Sequence, residues 1–197
     1  MSHDWDAVYT AQQAAPWDIG HPQPAFARLA ARGLLSGRLL DAGCGTGEHT
    51  LLAAAAGADA MGVDVSAQAI QQARRKAAER RLAARFEVAN ALDLGALELT
   101  FGTVLDSGLF HVFDNGDRAR YVASLGTVVE PGGTLYLMCF SDHQPGEHGP
   151  RRVRADELRA AFADGWAVAS IVPDTFELNP GFGSMTAQAW LATIGRR

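Results

Sequence analysis

Short apolar runs alternate with stretches of helical periodicity along most of this chain. Strands are predicted at 38–42, 58–63, 85–88, 101–106 and 133–140. Helices are predicted at 24–31, 46–56, 66–82 and 117–129, and Ser66 is placed to cap the third of them. Strands and helices that alternate in this way predict an α/β domain with a parallel sheet and helices on both faces.

The C-terminal part of the chain departs from this alternation. Asp156 is predicted to cap a short helix that runs to position 163. Two strand-like runs follow at 166–178 and 186–194, and residues 179–183 between them read Asn-Pro-Gly-Phe-Gly. Proline and glycine in a short connection favour a turn, so the two runs are predicted to pair as antiparallel strands.

Length and composition are typical of one globular domain. The 197 residues contain no Pro/Gly/Ser-rich linker, so residues 1–197 are predicted to form a single domain around one core. Cys44 and Cys139 lack metal-ligand spacing, which favours reduced thiols and no metal. No apolar run reaches about 18 residues and positions 1–10 do not resemble a signal peptide, so a cytoplasmic location and no membrane partner are expected.

The charge balance bears on the partner. The chain has 17 Lys and Arg against 22 Asp and Glu, so a nucleic acid would have to bind against the overall field. The basic residues that cluster are Arg74, Arg75, Lys76, Arg80, Arg81 and Arg85. A solvated helix face is the favoured interpretation of this cluster, and a nucleic-acid patch is the alternative. We therefore expect a small-molecule partner, with the protein acting as a monomer or homodimer.

The segment 39–48 reads Leu-Leu-Asp-Ala-Gly-Cys-Gly-Thr-Gly-Glu and is the strongest functional signal. Glycine at positions 43, 45 and 47 lets the backbone turn sharply and approach a ligand just before a helix. A dinucleotide fingerprint has its third glycine at the sixth position, where this chain has Glu48, a carboxylate that would repel a pyrophosphate. Asp41 and Glu48 instead favour a cationic ligand, such as the sulfonium and ammonium groups of S-adenosylmethionine.

In this segment the chain resembles the class I S-adenosylmethionine-dependent methyltransferases, and further motifs follow in that family's order. Val63-Asp64-Val65-Ser66 places Asp64 21 positions after Gly43, where the family holds ribose hydroxyls. Asn90 stands where the family commonly has Asp, and its side-chain carbonyl can accept a bond from the adenine amine. Runs 103–107 and 130–135 match the fourth strand and the turn into the fifth.

The resemblance implies a fold and a set of cofactor contacts. The implied fold is a single Rossmann-like domain whose seven-stranded, mostly parallel sheet has an antiparallel last strand and binds ligands at the carboxyl ends of its strands. The implied cofactor is S-adenosylmethionine, which leaves as S-adenosylhomocysteine. The residues implied in cofactor binding are Asp41, Gly43, Cys44, Gly45, Gly47, Asp64, Val65, Asn90, Ala91, Asp106, Ser107 and Trp17.

The N-terminal segment is predicted to form a strap. Three prolines and a glycine lie between positions 16 and 24, which favours an ordered, non-helical segment, and residues 1–24 are interpreted as a lid over the active site. Trp17 either contacts a ligand or packs against the domain and so holds the strap in place. The pattern resembles the thiopurine, thiol and halide methyltransferases, and more closely small mycobacterial-type O-methyltransferases that act on hydroxyquinolone or quinone toxins.

His111 follows the fourth predicted strand, where class I enzymes present acceptor-specific groups. An imidazole with an ordinary pKa near 6.5 can take a proton from a phenolic or N-hydroxyl group, so His111 is the candidate general base. The alternative is a hydrogen-bonded residue that supports the site without transferring a proton.

Aromatic and basic residues near the same strand ends are candidate substrate contacts. Phe110, Phe113 and Phe140 can line a flat apolar pocket together with Trp17, or can belong to the core. Arg152 ends a polar loop and can contact an acidic substrate, or can form a surface salt bridge.

Together these features predict methyl transfer to a small aromatic or heterocyclic acceptor, at a hydroxyl oxygen, as a detoxifying reaction. A thiol or halide methyltransferase and a non-catalytic S-adenosylmethionine sensor are the alternatives.

Overall fold

The computed structural model describes residues 4–10, 15–179 and 185–197, and these residues contain one mixed sheet of seven strands. The strands are Arg38–Ala42 (β1), Asp59–Asp64 (β2), Ala84–Val88 (β3), Phe101–Ser107 (β4), Val129–Phe140 (β5), Trp166–Glu177 (β6) and Thr186–Arg196 (β7). Their order is β3-β2-β1-β4-β5-β7-β6, and β7 runs antiparallel to both of its neighbours. This arrangement confirms the predicted α/β sheet with an antiparallel last strand.

Six α-helices lie in the described part of the chain. They are Trp5–Thr10 (α1), Pro24–Ala31 (α2), Glu48–Ala55 (α3), Ala67–Arg80 (α4), Asn115–Val128 (α5) and Ala155–Ala161 (α6), and two 3₁₀ helices cover Ala91–Leu97 and Phe110–Val112. None of the helices in the described ranges is long and apolar enough to cross a membrane.

Apolar side chains cover both faces of the sheet, which explains why the inner strands read as continuous apolar runs. On one face Phe101, Tyr121 and Leu135 belong to a large cluster, and on the other Phe26 and Met138 belong to a second. β6 lies at the edge of the sheet, where Pro173 is tolerated because its missing N–H is not needed by a further strand. Each inner strand is therefore held in register by burial on both sides.

The structure confirms most predicted elements and corrects several boundaries. Ser66 caps α4 as expected, since its hydroxyl oxygen accepts a hydrogen bond from the Ala69 N–H at 3.1 Å. α3 starts two residues later than predicted because Gly47 has a left-handed φ of 89°. Helix α6 starts before Asp156, and Glu157 accepts a hydrogen bond from the Arg154 N–H instead. The predicted turn 179–183 lies outside the described residues except for Asn179.

Two kinds of element escaped the sequence analysis. α1 and both 3₁₀ helices are too short to show helical periodicity, and each occurs beside the carboxyl edge of the sheet. Strand order reverses between β1 and β4, which opens a crevice at the carboxyl ends of these strands. That crevice is the place in the fold where a ligand can bind.

Candidate active site

The glycine-rich turn between β1 and α3 forms one wall of the crevice. Gly43 and Gly45 have φ values of 70° and 52°, which other residue types rarely adopt. A Cβ on Gly43 would lie 3.0 Å from the Leu109 side chain, and one on Gly45 would lie 2.9 Å from the Tyr9 hydroxyl oxygen. Glycine is therefore required here by the backbone and by close approach.

Asp64 fixes this turn from the end of β2. One carboxylate oxygen accepts from the Gly45 N–H and the other from the Ser66 N–H, both at 2.9 Å. Burial raises the pKa of Asp64, and the N–H donors of Ser66 and Gly45 oppose that effect. Each oxygen has a second lone pair that a ligand hydroxyl can use.

Asn90 lies at the end of β3 and caps the first 3₁₀ helix. Its side-chain oxygen accepts a hydrogen bond from the Leu92 N–H at 3.0 Å. This oxygen, which the sequence predicts to accept a hydrogen bond from an adenine amine, already has one local partner and keeps one free lone pair.

A cavity of about 800 Å³ extends from the glycine turn to the segments that follow β4 and β5. Twelve of the residues singled out from the sequence line it: Trp17, Gly43, Cys44, Gly45, Asp64, Val65, Asn90, Ala91, Ser107, His111, Phe113 and Phe140. Arg152 lines it as well. The structure thus brings most of the predicted site residues together in one space. Four others, namely Asp41, Gly47, Asp106 and Phe110, do not line it.

Asp41 and Asp106 are buried behind the cavity wall and hold backbone turns. Asp41 accepts from the N–H and hydroxyl of Thr50 at 3.1 and 2.8 Å, which joins β1 to α3. Asp106 accepts from the N–H groups of Leu109 and Phe110. Burial raises the pKa of each carboxyl to about 7. These contacts assign a structural role in place of the direct cofactor contact expected from the sequence.

Gly47 and Phe110 also serve packing. A Cβ on Gly47 would lie 2.8 Å from Ala73 and from the Phe86 ring, so this glycine permits α3 to pack on α4 and β3. Phe110 is fully buried, with the Arg118 guanidinium 4.7 Å above its ring. Phe110 therefore belongs to the core and not to a substrate pocket.

His111 lies at the far end of the cavity in the second 3₁₀ helix. Its Nδ1 accepts a hydrogen bond from the Phe140 N–H at 2.9 Å, and its ring packs against Phe140 and Phe176. Burial, and then the charges of Arg118 and Arg152, lower the pKa of His111 to about 3. The imidazole is therefore neutral at ordinary pH.

Arg152 closes the same end of the cavity. Its Nε donates to Gln144 O, and its two terminal nitrogens donate to the carbonyls of His148, Pro150, Pro145 and Gly146 at 2.7 to 3.1 Å. A guanidinium has five N–H donors, so this loop uses all of them. Arg152 therefore organises this loop and forms no salt bridge with a described residue, and its contact with an acidic substrate stays a prediction.

Hydrogen bonds fix the strap residues 15–23, several of which line the cavity. The Gln23 side chain makes two hydrogen bonds with the Glu177 backbone, and the Asn179 amide donates to Ala15 O and Asp18 O. Trp17 is 41% exposed and donates from Nε1 to the Tyr9 hydroxyl at 3.3 Å. The predicted strap 1–24 includes residues 1–3 and 11–14, which lie outside the described residues.

α1 also contributes to the lining of the cavity. Asp6 accepts from the Ser66 hydroxyl at 2.6 Å and from the Gln68 N–H, which attaches α1 to the start of α4. Tyr9 then lies beside Gly45 and lines the cavity. Nothing in the periodicity of the first ten positions indicated this contact, although Trp5 and Tyr9 are aromatic residues in a polar segment.

Comparison with known proteins agrees with this geometry. A family model described as a methyltransferase domain matches residues 39–133. The chain is 36% identical over 177 residues to 2-heptyl-1-hydroxyquinolin-4(1H)-one methyltransferase of Mycobacteroides abscessus, with 88% of this chain and 78% of that protein covered. This chain belongs to the class I S-adenosylmethionine-dependent methyltransferases.

Two more relatives of this methyltransferase carry different names. A protein of Arabidopsis thaliana named as a thiol methyltransferase is 28% identical over 193 residues, which cover 96% of this chain and 84% of that protein. A solved structure described as "Conversion of a Disulfide Bond into a Thioacetal Group during Echinomycin Biosynthesis" is 38% identical, with a TM-score of 0.89. The match covers 100% of this chain and 93% of that chain.

The residues of the methyltransferase fit S-adenosylmethionine, with one correction to the sequence argument. Glycine at 43 and 45 lets the turn lie against Leu109 and Tyr9, where a Cβ would clash, so that the turn lines the cavity. Asp64 offers lone pairs to hydroxyl groups. Glu48, however, pairs with Lys76 at 2.8 Å and with Arg80 at 2.7 Å, and these contacts lower its pKa against the effect of burial. Glu48 is therefore neutralised by α4 and does not supply a free negative charge for a cation.

Several residues of the methyltransferase cavity were missed by the sequence analysis. Among them are Tyr9, Asp18, Gln23, His49, Phe176 and the loop residues Gln144, Pro145, Gly146, His148, Gly149 and Pro150. His49 accepts a hydrogen bond from the Gln23 N–H at 3.1 Å, and burial lowers its pKa to about 4. Phe176 comes from β6, which is distant in sequence, so only the sheet order shows that it reaches this cavity.

Proposed function

We propose that this methyltransferase transfers a methyl group to a ring hydroxyl of a small, flat heteroaromatic compound. The observation that carries the proposal is the composition of the acceptor end of the cavity, where the rings of Phe140 and Phe176 pack against His111 and Phe113 also lines the cavity. Aromatic walls suit a planar ring system, and one polar group among them suits a single hydroxyl.

The name of the Mycobacteroides abscessus relative supports the same acceptor class, because it specifies a hydroxyquinolone. S-adenosylmethionine supplies an activated methyl group on a sulfonium. The protein therefore mainly has to hold the acceptor oxygen in line with that group and exclude water, and positioning of this kind is worth roughly 7 to 11 kcal/mol. The strap and α1 help to exclude water, because Trp17 and Tyr9 meet above the glycine turn.

The basic cluster of α4 supports a small acceptor over a nucleic acid. Lys76 and Arg80 bind Glu48, Arg74 donates to Phe86 O and Arg85 pairs with Asp59, so four of the six residues of the cluster are engaged within the protein. Cys44 and Cys139 are buried free thiols, which supports a reducing compartment such as the cytoplasm.

The test is a conversion assay with the purified protein, S-adenosylmethionine and 2-heptyl-1-hydroxyquinolin-4(1H)-one. We expect S-adenosylhomocysteine to accumulate together with a product that is one methyl group heavier and has lost its acidic hydroxyl. The thiol-named Arabidopsis relative makes a small thiol the second candidate acceptor, so benzenethiol and iodide are run in parallel. Conversion of these alone would contradict the proposal, and binding of cofactor without turnover of any acceptor would favour a sensor.

A further inference from the structure

His111 offers the acceptor a hydrogen-bond donor, and its geometry does not suit a base. A neutral imidazole has one nitrogen that accepts and one that carries hydrogen. Because Nδ1 accepts from the Phe140 N–H, the hydrogen lies on Nε2. Nε2 lies next to Gly108, 3.3 Å from where a Cβ on that residue would be, and both residues line the cavity. Nε2 therefore points a hydrogen, and no lone pair, at its surroundings.

Arg152 gives the same end of the cavity a positive charge. Among the described residues that line the cavity, it is the single Lys or Arg. Its five N–H groups all meet backbone carbonyls, which are neutral and leave the formal charge uncompensated. Its guanidinium carbon lies 5.6 Å from the centre of the Phe140 ring, and its charge acts on His111. The field at the acceptor end therefore favours an anion.

The acidic groups nearby do not cancel this field. Among the described lining residues the carboxylates are Asp18, Glu48, Asp64 and Asp117. Glu48 pairs with Lys76 of α4 and Asp117 pairs with Arg120 at 2.9 Å, so their charges are compensated. Asp18 and Asp64 bind neutral donors of the glycine turn, at the other end of the cavity from His111.

The other elements packed around His111 add no base. α5 contributes Arg118, whose guanidinium donates to Phe110 O. β4 contributes Asp106, whose oxygens are bound by the N–H groups of Leu109 and Phe110. β5 and β6 contribute the rings of Phe140 and Phe176.

We propose that the acceptor is an acidic hydroxyl compound that binds as its anion, held by the Nε2–H of His111 in the field of Arg152. The inference rests on the proposed function and specifies the ionisation state of its substrate. The hydroxyl proton passes to solvent before binding. The acceptor oxygen then forms its bond to the methyl carbon while the carbon–sulfur bond breaks, and that electron pair stays on sulfur. The negative and positive charges cancel, and no protein group takes a proton.

The first test is the pH dependence of kcat/KM for a series of ring-substituted 1-hydroxyquinolin-4(1H)-ones with different hydroxyl pKa values. Since kcat/KM reports free enzyme and free substrate, we expect the acid limb to move with the pKa of each acceptor. An acid limb at one fixed pH for every acceptor would show that an enzyme group titrates, and would overturn the inference. Absence of any O-methyl product would overturn the proposed function itself.

The second test compares His111→Ala with His111→Gln, because a glutamine amide can donate a hydrogen bond but cannot act as a base. Loss of a hydrogen bond to a charged group costs roughly 10- to 100-fold, so we expect a decrease of that size in kcat/KM for His111→Ala. His111→Gln is expected to recover most of the loss with an unchanged acid limb. Equal loss in both variants, with the acid limb removed, would assign the base role to His111.

The third test measures the bound acceptor directly, with S-adenosylhomocysteine present so that no reaction occurs. The absorbance of the hydroxyquinolone reports its ionisation, and we expect its pKa to be lower when bound than in water. Arg152→Met should reverse this shift, and Arg152→Lys should preserve most of it. Affinity for S-adenosylhomocysteine controls for folding of both variants, and an unshifted pKa in the wild-type complex would overturn the inference whatever the variants do.

Discussion

Gly45 shows how strongly a single residue can control cofactor binding. We expect Gly45→Val to weaken S-adenosylmethionine binding by roughly 100-fold or more, which corresponds to about 3 kcal/mol. The reason is that a valine would meet the Tyr9 hydroxyl and would also require a left-handed φ. Isothermal titration calorimetry measures the change.

A matched control for this prediction is Gly57→Val. Gly57 has a φ of 93°, with no atom within 4 Å of its Cβ position. It therefore carries comparable backbone strain, and it is not among the cavity residues. Equal cofactor affinity in the two variants would show that the glycine turn does not form the binding wall.

At the scale of elements, Ser66 connects α1 and α4, two helices whose contact the sequence does not predict. It caps α4 and also donates to Asp6 of α1. Ser66→Ala should lower the free energy of unfolding by about 0.5 to 2 kcal/mol through loss of the cap. It should also increase hydrogen exchange of the α1 amides, because one of the bonds that hold this helix is lost.

Asp114→Ala separates these two effects. Asp114 caps α5 by accepting from the Asp117 N–H at 2.8 Å, and its side chain makes no hydrogen bond to the described residues of α1. Urea denaturation should give a similar loss for both variants, while exchange in α1 should increase in Ser66→Ala alone. Equal protection of α1 in the two variants would rule out Ser66 as its anchor.

At the scale of the whole molecule, buried titratable groups make stability depend on pH in opposing directions. The pKa of Asp41 is raised to about 7 in the folded protein, from 3.8 in an unfolded chain. This contribution to stability is present at low pH and is lost as the pH rises from about 4 through 7. The pKa values of His49 and His111 are lowered, so these residues add stability as the pH rises toward 6.5. In the wild-type protein the pH dependence of the free energy of unfolding is the sum of these opposing contributions, so it does not show any one of them.

Comparison of Asp41→Asn with wild type isolates the carboxyl. Asparagine keeps an oxygen for the two Thr50 donors and has no proton to lose. The free energy of unfolding of the variant, relative to wild type, should therefore rise by a few kcal/mol between pH 4 and pH 7 and then level off. Chemical denaturation at a series of pH values measures this difference in the free energy of unfolding. A difference that is the same at every pH would mean that Asp41 is ionised over the whole range.

The sequence by itself determined the architecture and the family of this protein. Apolar runs indicate strands that are buried on both faces. Ser66 caps α4 through its own hydroxyl, and this contact does not depend on what α4 packs against. Both features therefore follow from local chemistry. The sequence also predicted the glycine turn correctly at positions 43 and 45. Both residues have a left-handed backbone conformation that other residue types rarely adopt. Gly47 belongs to the same sequence motif, but the motif does not predict that this glycine packs against Ala73 and Phe86.

Only the tertiary structure decided what the charged and aromatic side chains do. Glu48 is neutralised by α4, Arg152 is surrounded by carbonyls of its own loop, and Phe110 lies in the core. Each of these outcomes depends on a partner brought close by folding, and residue type alone cannot specify that partner. The ring of His111 is the clearest case: the Phe140 N–H, 29 positions away, decides which nitrogen carries the hydrogen and so whether the residue donates or accepts.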